Sequence, residues 1–136
     1  MIIHPGFRVE PWSLHETALN LDVLAETESL FALSNGFLGV RGNLDEGEPL
    51  GIPGSYLGGF YELRPLPMAE SQFGTPESSQ TLVNVTNAKL IRLLVDDEPF
   101  DARRGRLLTH DRQLDFRTGL LKRTAEWTAP PRPRRP

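Results

Sequence analysis

"ESLFALSNGFLGVRGN", Glu28–Asn43, sets Gly36, Gly39 and Gly42 in a largely apolar run. Three readings compete: a loop that cradles phosphate, a catalytic turn, or a tight hairpin. Spacing decides between them. G-x-x-G-x-x-G is neither the dinucleotide fingerprint G-x-G-x-x-G nor a Walker-type loop, which needs a Lys and a Ser or Thr after its last glycine. No helix signal follows that could offer its N-terminus to an anion. "LFAL" and "FLGVR" instead flank Ser34-Asn35-Gly36. Asn-Gly between short apolar runs is a strong hairpin signal, because both residues tolerate positive φ. Gly39 then lies inside a strand, where it weakens pairing unless a neighbour packs close. Gly42 ends that strand and opens the acidic loop "NLDEGEPLGIPG". The stretch predicts a hairpin with Asn35, Gly36, Gly39 and Gly42 as its structural turn residues.

Outward from this hairpin the signals are mostly β. "FRVEPWSL", Phe7–Leu14, alternates apolar and polar residues and predicts a half-buried strand interrupted at Pro11. "HETALNLDVLAETESLF", 15–31, fits both periods, and predicts either a weakly extended segment or one short helix. "GSYLGGFYEL", 54–63, predicts a strand, and the proline-rich 64–80 a long loop of the kind that is functional or disordered. "TLVNV" and "KLIRLLV" predict two more strands, and "DDEP" the turn that follows. "LDF" and "LLKRTAEW" flank the turn Arg117-Thr118-Gly119, and "DARRGRLLTHDRQ", 101–113, predicts a loose connection. Turn cues every eight to twelve residues describe an antiparallel meander or sandwich.

Composition agrees. The chain has 136 residues, 12 glycines, 12 prolines and no cysteine, which suits one domain of short strands and excludes disulfides and thiolate metal sites. The first residues lack a basic n-region and apolar h-region, and no run is long enough to span a membrane, so a cytoplasmic protein is expected. Up to residue 80 three Arg face eleven acids; from 81 onward twelve Lys and Arg face seven acids. Six of those twelve fall in one loop, Arg103 to Arg106, and in the terminal "PPRPRRP", which speaks against a nucleic-acid face.

The inventory for catalysis is thin. His4, His15 and His110 lie far apart without ligand spacing, so no metal is expected. Ser55 lacks the nucleophile-elbow frame, and the acids at 96–98 lack the order of a calcium loop. Trp12, Phe60, Tyr61, Phe73 and Trp127 could stack on a sugar, although packing is the commoner role of such rings.

In order and spacing, "ESLFALSNGFLGVRGN", "GSYLGGFYE", "QTLVNVTNAKLIRLLVDDEPF" and "LDFRTGLLKR" resemble the start of glycoside hydrolase family 65, from about Phe7 to Trp127. That family holds the maltose, trehalose, kojibiose and nigerose phosphorylases and related hydrolases. Gly58 stands where the family often has a larger polar residue, and Phe73 and Thr75 where tyrosines are frequent. The resemblance implies a mainly β, antiparallel fold that is part of a β-sandwich, the incomplete N-terminal domain of a larger enzyme. It also implies inverting phosphorolysis of an α-linked glucosyl disaccharide by that enzyme, with phosphate and without metal or other cofactor. The general-acid glutamate and the phosphate site belong to a later (α/α)-barrel, so no catalytic residue is carried over to this chain.

Residues 1–129 are therefore expected to form a partial sandwich and 130–136 a disordered Pro/Arg-rich tail. Thirteen Arg against two Lys fit a G+C-rich coding sequence, and the tail fits a truncated or frame-shifted reading of a longer gene. Three roles follow from these readings: a non-catalytic part of such an enzyme that contacts its missing barrel, a carbohydrate-binding module, or a module that self-associates through open strand edges. Arg41, Tyr61 and Trp12 are the candidates for an interdomain or sugar-facing contact, with the loop 64–80 near the substrate end.

Overall fold

The structure, a computed structural model, describes residues 5–46, 54–66, 74 and 76–131. It is mainly β. Strands β1 (Phe7–Glu10), β2 (Ser13–Glu16), β9 (Arg106–Asp115) and β10 (Leu120–Thr128) form one antiparallel sheet in the order β1-β2-β9-β10. Strands β3 (Leu33–Ser34), β4 (Leu38–Val40), β5 (Ser55–Pro65) and β6 (Ser78–Asn84) form a second, in sequence order. A small pair, β7 (Leu94–Val95) with β8 (Glu98–Pro99), stands apart. The helix α1 (Leu24–Leu30) follows a short 3₁₀ turn, Leu21–Val23, whose first amides are capped by the Asn20 side chain on Asp22 N at 2.9 Å.

The 33–40 hairpin forms as its sequence predicts, but Asn35 and Gly36 do different work in it. Gly36 takes the positive φ of 87°. Asn35 stays out of that region, and its Oδ1 accepts from Phe37 N and Leu38 N at 3.0 and 2.8 Å, closing the turn from the side chain. The "DDEP" turn is also confirmed: Asp96 and Asp97 both have positive φ, as a two-residue hairpin turn demands. At 116–119 Asp115 Oδ1 accepts from Arg117 N and Thr118 N, and β9 and β10 run antiparallel from there.

Three expectations are corrected. "FRVEPWSL" is not one interrupted strand but a hairpin, with Phe7 opposite Glu16 and Glu10 opposite Ser13. Pro11-Trp12 turns the chain, because proline cannot continue a ladder. "KLIRLLV" keeps only Leu94–Val95 as strand. Its first half bonds sideways instead: Ile91 N to Asp45 O at 2.8 Å, and Lys89 Nζ to Arg41 O at 2.9 Å. The loose connection at 101–113 becomes, from Arg106, the long strand β9 at the centre of its sheet. The ambiguous 15–31 segment resolves into the end of β2, the 3₁₀ turn and α1. Of the expected 64–80 loop, Arg64 and Pro65 belong to β5 and 78–80 to β6, while 67–73, with Phe73, and Thr75 lie outside the described residues, as does most of the terminal tail.

Among the described residues the buried apolar side chains are Leu24, Phe31, Leu44 and Leu114, whereas the largest fully buried ones are Arg112, Phe31, Glu16 and Glu28. The centre of the fold is charged. Gly42 is needed there for close approach: a Cβ would stand 2.5 Å from Phe31 Cβ and 3.0 Å from Phe31 O, and Gly42 N donates to Glu28 O at 2.8 Å. Gly39 is different. A Cβ there would meet Ser34 and Tyr56 only at ordinary contact distance. Gly42→Ala is therefore expected to destabilise the chain by about 1–3 kcal/mol through overpacking. Gly39→Ala should be neutral or slightly stabilising, since it restricts the unfolded chain. Thermal melts of the two variants against the parent chain check this contrast.

Candidate functional site

Strand β9 sends His110, Arg112 and Leu114 to its buried face. Arg112 binds three separate parts of the chain at once. Its Nε and NH2 lie 3.0 and 2.9 Å from Glu16 Oε2 on β2. NH1 donates to Gly42 O at 2.6 Å, and NH2 donates to Thr27 Oγ1 on α1 at 3.1 Å. The guanidinium also lies 4.2 Å from the centre of the Phe31 ring, which stacks on Phe7 at 6.3 Å. His110 Nε2 adds a bond to the same Glu16 oxygen at 2.8 Å. Burial pushes Arg112 below its ordinary value while Glu16 opposes that shift. A planar fork with five donors can make these four bonds at once; an ammonium, with three donors, cannot.

Glu28, also fully buried, sits on the helix beside this knot. Desolvation raises its carboxyl above the ordinary 4.5, opposed by the Asn43 side chain, by the charges of Arg41 and Arg112, and by the backbone of Leu44. Neither carboxylate oxygen makes a hydrogen bond of good geometry. Lys89, lowered by its own burial, is also within reach of the Glu28 and Asp45 charges.

Arg41 lines a cavity of about 290 Å³ between the two sheets, together with Asn43, Lys89, Arg112 and Arg123 among others. Its NH2 donates to Ala25 O at 2.5 Å, which ties the hairpin to α1. Arg123 reaches Glu46 through both terminal nitrogens, joining β10 to the segment after Gly42. Tyr61 is elsewhere, exposed on β5 opposite Leu82. Trp12 is exposed in the β1–β2 turn with the Arg117 guanidinium 4.9 Å over its ring. The three candidates stand on three different elements. Of the other aromatic residues, Phe60 is exposed on β5, and Trp127 packs edge-on against Phe100 at 5.4 Å.

One constellation has the residue types of a nucleophilic triad. Ser13 Oγ lies 3.2 Å from His15 Nε2, and His15 Nδ1 lies 3.9 Å from Asp111 Oδ1. The serine is not set for that role. Ser13 Oγ donates to Glu10 Oε2 at 3.2 Å, whereas a nucleophilic serine must donate to its histidine. Arg8 NH2 and Asp111 Oδ1 both face His15 Nδ1, at 3.5 and 3.9 Å. Among the described residues there is no cluster of His, Asp or Glu that could hold a metal ion, and no helix long and apolar enough to cross a membrane.

A mainly β pair of antiparallel sheets, centred on a buried charge network, is thus the class the fold defines. The family profile described as Glycosyl hydrolase family 65, N-terminal domain, matches residues 14–135. The chain belongs to this family, as its N-terminal domain. A glycosyl hydrolase of Mycobacterium tuberculosis, itself uncharacterized, is 62% identical over 130 residues, which are 96% of this chain and 16% of that protein. The alpha,alpha-trehalose phosphorylase of Thermoanaerobacter brockii is 34% identical over 93% of this chain and 17% of its own length. A solved structure described as a kojibiose phosphorylase from the human microbiome superposes with a TM-score of 0.77 at 29% identity, covering 92% of this chain and 17% of that one. The chain spans about a sixth of the length of these relatives.

Two outcomes test the network. Arg112→Met leaves Glu16 buried without its cation and should cost about 3–5 kcal/mol, whereas loss of an exposed pair such as Arg64–Glu62 should cost less than about 1 kcal/mol. Urea unfolding of both variants measures the difference. The second outcome concerns pH. The folded chain holds the Glu28 proton more tightly than the unfolded chain does, so stability falls as pH rises from 4.5 through the raised value. Glu28→Gln removes that dependence. Its stability relative to the parent should be greater at neutral pH than near pH 4.5, as read by melting temperature against pH.

Proposed function

We propose that this chain is the non-catalytic N-terminal domain of a cytoplasmic enzyme that acts on an α-linked glucosyl disaccharide of the maltose or trehalose type. The supporting observation is the similarity to trehalose phosphorylase, which runs over 93% of this chain yet only 17% of the enzyme. Maltose, kojibiose and nigerose phosphorylases match over 13–17% of their lengths, at 29–30% identity. Phosphorolysis with inversion is the reaction this grouping favours, with a later barrel supplying the general acid and the phosphate site. The geometry agrees with a bracing role. The buried carboxylates of Glu16 and Glu46 are engaged in holding strands together, and Ser13 donates to Glu10. Arg41, which lines the inter-sheet cavity, is the polar group we assign to the contact with the rest of the enzyme.

The chain alone should release no glucose 1-phosphate from maltose or trehalose in the presence of phosphate. Substituted for the matching segment of the Thermoanaerobacter brockii enzyme, it should give a folded chimera that retains phosphorolysis. Release of glucose 1-phosphate by the chain alone, in a preparation free of other phosphorylases, would overturn the reading.

A further inference from the structure

The tip of the glycine hairpin gathers backbone donors and a hydroxyl around one side-chain amide. Asn35 Oδ1 accepts from Phe37 N at 3.0 Å and from Leu38 N at 2.8 Å. Two N–H donors on one atom identify it as the oxygen, so Nδ2 is the branch turned away from them. Gly36 N, the next amide along the chain, donates to Ser34 Oγ at 3.2 Å. Gly36 has no side chain to shield that nitrogen, and a Cβ built there would meet nothing within 4 Å. The other asparagines, at 20, 43, 84 and 87, each precede a residue that carries a side chain.

The carbonyl carbon of an asparagine side chain is open to attack by the main-chain nitrogen that follows it, which closes a succinimide ring. The attack turns Oδ1 into an oxyanion. In this hairpin that oxygen already lies on two backbone donors, an arrangement that stabilises such a charge without reorganisation. Ser34 Oγ faces the proton that the attacking nitrogen must lose. An unfolded chain holds none of these three bonds in place, and solvent must supply them.

We propose that Asn35 is a site of self-catalysed deamidation, promoted by the folded hairpin. The bond from Gly36 N to Asn35 Cγ forms as the Gly36 proton passes to Ser34 Oγ, which releases its own proton to water. The bond from Cγ to Nδ2 then breaks, and Nδ2 takes a proton from water and leaves as ammonia. Water opens the succinimide to aspartate or to isoaspartate, and nothing is oxidised or reduced. Every protein group in the ring-closing step lies within Ser34–Leu38, so the step depends on no segment outside the hairpin. It is also independent of the reaction assigned to a longer enzyme. The isoaspartyl product carries an extra methylene in the main chain beside β3, whose pairing with β4 consists of Leu33 with Val40 and Ser34 with Gly39. Modification therefore loosens that strand pair and adds a negative charge at its end.

Incubation of the 136-residue chain at neutral pH, followed by peptide mass spectrometry, counts succinimide, aspartate and isoaspartate at position 35. The same chain in urea and the free peptide Glu28–Asn43 give the rate that local sequence sets by itself. The folded chain, its fold verified by far-UV circular dichroism, should react about tenfold faster than either, or more. Ser34→Ala should slow the folded reaction about threefold and leave the rate in urea unchanged. A folded chain that reacts no faster than the peptide would overturn the proposal, and would mean that the bonds to Oδ1 restrain the side chain instead of activating it. Folded Ser34→Ala chain reacting at the parent rate would overturn it too, because the proton of the attacking nitrogen then leaves by another path.

Discussion

The guanidinium of Arg112 is the point at which the first sheet, the helix and the glycine hairpin are joined. It is a costly arrangement, because a buried charge loses its hydration and is stable only with full pairing. Glu16 supplies the countercharge, the Gly42 carbonyl and the Thr27 hydroxyl take the remaining donors, and Phe31 closes one face. Glu16, Gly42 and Thr27 come from three different elements, so those three are held in place by the same planar group. An apolar core of equal volume would bring the same segments together with less demand on their angles.

This network also explains the form of the opening motif. Phe31 must lie under the guanidinium, Gly42 must pass within contact of Phe31, and its carbonyl must face NH1. Arg41 and Asn43, on either side of Gly42, are then carried into the space between the sheets, where Lys89 holds both of their carbonyls. Turn formation and core formation are thus one event in this part of the chain. Gly36 serves the turn, Gly42 serves the core, and Gly39 is constrained by neither.

Much of the fold was legible in the sequence because the hairpins carry their own chemistry: Asn35-Gly36, Asp96-Asp97 and Asp115 with Gly119 each close a turn by local bonding. Strand β9 was hidden for a physical reason. Its inward positions include His110 and Arg112, so the alternation that marks a half-buried strand shows polar residues where apolar ones are expected. Their partner Glu16 lies 94 and 96 residues away, and no pattern in one sequence announces such a pair. "KLIRLLV" misled in the opposite sense. Its apolar run is largely exposed, and its backbone bonds to the loop after Gly42 instead of to a ladder. Of the candidate contacts, Arg41 is placed in a cavity by the motif around it, while Tyr61 and Trp12 stand on exposed surfaces that ring chemistry alone could not bring together.

The distance along the chain between Arg112 and its partners has a consequence for synthesis. Glu16, Thr27 and Gly42 leave the ribosome 96, 85 and 70 residues ahead of the arginine that binds them. At ordinary elongation rates that is a delay of several seconds, about 5–20 s for Glu16. Through that interval the hairpin and helix can form locally, but Glu16 has no Arg112 to bury against. Until β9 arrives, the first eighty residues carry three Arg against eleven acids, and a net charge of one sign disfavours contact between unfinished copies.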